Sequence, residues 1–100
     1  MLPDGFTWAP RWQHATRDDA VFLDGQVVAF IDQRVDGGWI AQLDTQRPID
    51  APLVSRRCSS HEQGRAGIEA WVCRHEDRLR REVAERIAAR AASSRWAGRA

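Results

Sequence analysis

Lysine is missing altogether: all fifteen basic residues of this 100-residue chain are arginine. Arginine suits bidentate phosphate contacts better than lysine does. So complete a bias is explained more simply by a GC-rich coding sequence and carries little functional weight. Cysteine is scarce, with only Cys58 and Cys73. If one helix runs from residue 60 onward, they lie roughly 20 Å apart along its axis, too far for a disulfide. Two free thiols suit the cytoplasm. No window holds the roughly 18 apolar residues that span a bilayer. The opening MLPDGFTW has neither the basic nor the apolar region of a secretory leader. A cytoplasmic chain without membrane association is expected. Internal repeats and a second domain are also lacking.

Chemistry-bearing motifs are equally sparse. Cys58, His61, Cys73 and His75 have a zinc-like spacing. However, residues two apart on a helix point about 200° apart, so Cys73 and His75 cannot share an ion. Gly64-Arg-Ala-Gly67 falls within a helical stretch and lacks the strand and Lys-Ser/Thr of a phosphate-binding loop. His14 lies in a polar segment near Asp18 and Asp19, with no serine or cysteine nucleophile motif beside it. No catalytic residue, metal ligand or cofactor is assigned, and no enzymatic activity is expected.

What is present reads as a strand-rich half followed by a helix. Phe6, Trp8 and Trp12 alternate along FTWAPRW, and Pro10 marks that strand as an edge. Residues 20–32 flank Asp24-Gly25, the pattern of a two-residue hairpin turn. Val27–Ile31 is apolar on both faces and suits a central strand covered at least partly on each side. RVDGG makes a second turn, and Trp39, Ala41 and Leu43 then face one way. PLVS, in the Pro-containing connector 45–58, can run extended along the sheet edge. Overlapping Ser59-x-x-Glu62 and Ser60-x-x-Gln63 capping boxes start a helix near residue 60. Neither proline nor glycine interrupts residues 68–92. The expectation is an α+β fold: an antiparallel three- to four-stranded β-meander packed against one long C-terminal α-helix. Residues 1–92 form the domain and 93–100 a flexible basic tail.

A helix from about 60 to 91 is about 48 Å long, whereas strands of this size cover about 17–27 Å. The overhang keeps an apolar stripe of His75, Leu79, Val83 and Ile87, flanked by Ala84, Ala88 and Ala91. The stripe calls for a partner protein, most simply the same helix of a second copy, which would make the chain a homodimer. His75 reads either as a pH-sensitive group at that interface or as a partly buried histidine bonded to a neighbour.

GGWIAQLD, a connector and CSSHEQGRAGIEAWVCRHE together resemble the arm-type DNA-binding domains of phage integrases, which pair a three-stranded sheet with a helix. Gly38, Trp39, Glu69, Ala70 and Trp71 carry the resemblance, over about half the chain. It implies a sheet face that enters the major groove and reads bases. Charge points elsewhere. Residues 1–50 hold four arginines and eight acids, net −4, while residues 51–100 hold eleven arginines and six acids, net +5. DNA-reading surfaces are positive, so nucleic acid would also meet Arg86, Arg90, Arg95 and Arg99. Trp39 shares its face with Ala41 and Leu43, and a helix bearing Trp71 should cover them. That makes it a core anchor rather than a stacking platform for bases.

Overall fold

The computed structural model describes residues 1–13, 17–48, 50–52 and 54–97, with side chains as far as residue 93. Five strands run in chain order: β1 (Phe6–Ala9), β2 (Ala20–Leu23), β3 (Gln26–Gln33), β4 (Trp39–Leu43) and β5 (Val54–Cys58). Each pairs antiparallel with the next, giving a five-stranded meander in the order β1-β2-β3-β4-β5. Two helices follow, α1 (His61–Arg74) and α2 (Glu76–Ala97). The fold is α+β as expected, with five strands in place of three or four and two helices in place of one.

The turns explain the register. Asp24 and Gly25 both have positive φ, 50° and 79°, as a primed two-residue turn requires. Opposite that hairpin, Val21 pairs with Ala29 but Phe22 pairs with Val27. Val28 is therefore a bulge residue, and it is fully buried. β1 stops at Ala9, directly before Pro10, whose missing N–H cannot join a ladder. β5 shares Val54 and Ser55 with the expected PLVS segment, runs on to Cys58, and pairs Val54–Cys58 with Leu43–Trp39.

Ser60 caps α1. Its hydroxyl accepts from the Gln63 N–H at 3.1 Å, and the Gln63 side chain reaches back to the Ser59 N–H. Replacing Ser60 by alanine should lower unfolding free energy by about 1 kcal/mol, read from the denaturant midpoint.

The break between the helices falls at His75, where no proline or glycine announces it. Its φ of −112° and ψ of 19° leave the helical region. Its N–H is shared between the carbonyls of Trp71 and Val72, and Leu79 N–H resumes the ladder at His75 O. The bend carries α2 across one end of the sheet. There Arg80 donates to Asp4 O beside the N-terminal strand, and Arg78 meets Asp44 just after β4.

Both helices lie on one face of the sheet. Phe6, Val21, Leu23, Ala29, Ile31, Ala41 and Leu43 form that face and share one core with Ile68, Trp71, Val72, Leu79 and Val83. Trp39 is half-buried at its margin, edge-on to the His61 ring at 5.1 Å between centroids. It is a core-margin anchor, in line with its register beside Ala41 and Leu43.

Candidate functional site

The helix stripe expected to bind a partner is divided by the structure. Leu79 and Val83 have no exposed surface and belong to the chain's own core. They do not face a partner, because this first part of α2 packs into the core on the sheet. The His75 ring is half-buried and packs against Trp71 at 5.6 Å. Only Ile87, 39% exposed, remains open. Beyond Val83, Ala84, Glu85 and residues 87–93 are all exposed. The overhang therefore exists but begins later. It accounts for an extent of 49 Å along one axis against 28 and 26 Å, and for a radius of gyration of 14.7 Å where about 13 Å is usual. The helix also runs through Ala97, into the expected tail.

Of the candidate nucleic-acid arginines, Arg86 is half-buried beside Gln46 and Arg47, and Arg90 is exposed. The side chain of Arg95 and all of Arg99 lie outside the described residues, as does His14.

A polar cluster pins α2 to the loop after β4. Glu82 accepts from Arg47 at 3.1 and 3.2 Å and from Gln46 at 2.7 Å. Arg78 bridges Glu82 and the nearly buried Asp44 carboxylate, at 2.8 Å to the latter. Burial alone would raise the Glu82 pKa, but the bonds from Arg47, Gln46 and Arg78 outweigh it and hold the carboxyl at about 2. The same bonds hold Arg47 above its usual range, against a smaller effect of burial. Within α2, Glu76 pairs with Arg80 at 2.8 Å and Glu82 with Arg78 at 3.3 Å, so Glu82 serves both its own helix and the loop. The cluster is structural: its charges neutralise one another and leave no free acid or base.

Asp19 and His61, distant in sequence, meet at 2.7 Å. Among the described residues this is the one histidine–carboxylate contact. Acidic residues before β2 hinted at such a pair, but the partner is the first residue of α1, which no local pattern reveals. The Cys58 thiol, three residues before His61, donates to Arg56 O. Among the described residues, no three His, Cys, Asp or Glu side chains converge to hold an ion. No described helix is long and apolar enough to cross a membrane.

The sheet face turned away from the helices leaves apolar side chains uncovered. By register it carries Thr7, Phe22, Val27, Phe30, Ile40 and Arg57. Phe22, Val27, Phe30 and Ile40 are all half-exposed. The Arg11 guanidinium lies 3.5 Å from the centroid of the Phe30 ring and 4.4 Å from that of Trp12, and Trp12 is 62% exposed. Burial draws the Arg11 pKa below its usual range, against the attraction of Asp32. This surface offers aromatic planes, aliphatic area and a stacked cation.

No protein-family model, curated protein or solved structure matches the chain. The function therefore rests on the surfaces themselves.

Proposed function

We propose that the chain is a small non-catalytic interaction module whose working surface is the open sheet face, with a second copy of itself as the partner. One observation carries this reading: Phe22, Val27, Phe30 and Ile40 lie together on a face that neither helix covers. Five strands about 4.8 Å apart and about five residues long give the whole face an area on the order of 400 Å2, of which these four side chains are the apolar centre. Exposed apolar patches commonly mark interaction sites. The face carries both Arg11 and Asp32, so two copies related by a two-fold axis can set opposite charges across it. The patch is below the standard of about 800 Å2 per partner, so a reversible dimer of micromolar strength is expected.

Sedimentation equilibrium tests this directly. The wild type should show a monomer–dimer equilibrium at tens of micromolar. Ile40→Glu and Phe22→Glu should shift it to monomer, with the thermal midpoint changed by no more than a few degrees. A wild type that stays monomeric at about 1 mM, or variants that dimerise normally, would overturn the reading.

A second reading rests on the pairing of Arg11 with the exposed Trp12 and the Phe30 ring, a stacking platform of the kind that grips single-stranded nucleic acid. It predicts binding of an oligothymidylate that weakens steeply with salt and is lost in Trp12→Ala.

A further inference from the structure

β5 ends the sheet, and its outer edge has no strand beside it among the described residues. An edge of this kind presents unpaired N–H and C=O groups to any extended chain. Next to it, between β5 and α1, runs a cleft of about 420 Å3 lined by Ala41, Leu43, Ile68 and Trp71 below and by Arg56 and Arg57 at the rim. Among the described residues neither arginine is ion-paired. Both side chains are exposed, and Arg57 feels the Asp36 carboxylate only through space.

The helix wall of the cleft holds two glycines with different circumstances. A Cβ on Gly64 would stand 3.3 Å from Cys58 Sγ and 3.4 Å from Ile31 Cδ1, so close packing of α1 on the sheet accounts for it. Gly67 lines the same cleft, and a Cβ there would meet nothing within 4 Å. A glycine inside a helix costs about 1 kcal/mol relative to alanine. Among the described residues no contact offsets that cost at Gly67, whereas an incoming backbone or side chain lying against the helix would.

We propose that the cleft between β5 and α1 receives an extended acidic peptide, which adds to the sheet as a sixth strand and sets an apolar side chain beside Gly67. Strand addition supplies the main-chain bonds, and alternate side chains reach the cleft. Arg56 and Arg57 select for carboxylates on the flanking positions. The competing explanation is that the two arginines only guard the edge against pairing. The cleft lies on the helix side of the sheet, and Arg57 borders both it and the open face.

The probe is a fluorescein-labelled peptide of about eight residues alternating glutamate and valine, compared with its lysine–valine counterpart by fluorescence anisotropy. Both are titrated into the Phe22→Glu protein, so that self-association through the open face plays no part and no charge is added beside β5. The glutamate peptide should bind at least about tenfold more tightly than the lysine peptide, and more weakly as salt rises from about 50 to about 300 mM. Amide exchange should slow at outward-facing N–H groups of β5. Gly67→Leu should weaken binding at least about tenfold while leaving the thermal midpoint equal or higher, because leucine is the better helix former. Arg56→Glu with Arg57→Glu should abolish it. Three outcomes would overturn the proposal: equal affinity for both peptides, no binding of the glutamate peptide up to about 1 mM, or full affinity in Gly67→Leu. Aggregation of the double arginine variant without peptide binding by the parent would leave edge guarding as the arginines' role.

Discussion

Leu79→Asp should unfold the protein outright, giving a chain without near-ultraviolet tryptophan dichroism and with collapsed amide dispersion. Leu79 is fully buried in the core cluster with Val83 and Trp71. Removing it forfeits about 2–3 kcal/mol of apolar burial, and an unpaired carboxylate in its place adds several more. A domain of this size has about 5–15 kcal/mol in total. Ile87→Asp supplies the contrast. It lies two turns further on α2, where the helix has left the sheet, and should change stability by no more than about 0.5 kcal/mol. If Leu79→Asp instead gave a folded monomer, α2 would not be packed as described.

The second large effect concerns acid. Glu82 has its pKa lowered from 4.5 to about 2 in the fold. An acid whose folded pKa is depressed contributes stability that is present above its unfolded pKa and lost as pH falls through the folded one. The loss is therefore expected between about pH 4.5 and pH 2. A shift of this size corresponds to at most about 3 kcal/mol, and solvent around the more exposed Arg47 reduces it to about 2. Urea midpoints measured from pH 7 down to pH 2 should show this limb. In Glu82→Gln the limb should flatten. That variant should also be less stable at pH 7 by about 2–3 kcal/mol, because Arg47 and Arg78 lose a carboxylate while remaining partly buried. An acid limb identical in wild type and variant would count against the cluster.

Local chemistry explains which parts of the fold were legible. The Asp24-Gly25 hairpin, the Ser60 cap and the one-sided Trp39, Ala41 and Leu43 all follow from neighbours a few residues apart. β5 was only half visible, since Val54-Ser-Arg-Arg-Cys58 has little apolar alternation and follows a Pro-containing connector. The bend at His75 was hidden because nothing in the sequence breaks the helix. It is driven by tertiary contacts, through Leu79 and Val83 in the core and through Glu82 to a loop some 35 residues earlier. The same bend is why the stripe from His75 to Ile87 reads as exposed in sequence while most of it is interior.

The open sheet face was obscured for a related reason. Phe30 sits in an apolar run that looks central, and periodicity cannot tell a face covered by a helix from one covered by a single arginine. The Asp19–His61 pair and the cleft beside β5 are products of topology, and no spacing in the chain encodes them.

The turn at His75 also makes α2 a lever with a short inner arm. Twenty-two residues amount to about 33 Å, so a pivot of about 5° at His75 would displace the far end by about 3 Å and Val83 by only about 1 Å. Close-packed interiors resist displacements of that order. The aim of the projecting arm is thus set near its fulcrum, by Leu79 and Val83, and trimming either side chain should blur where the distal end points before it disturbs the sheet.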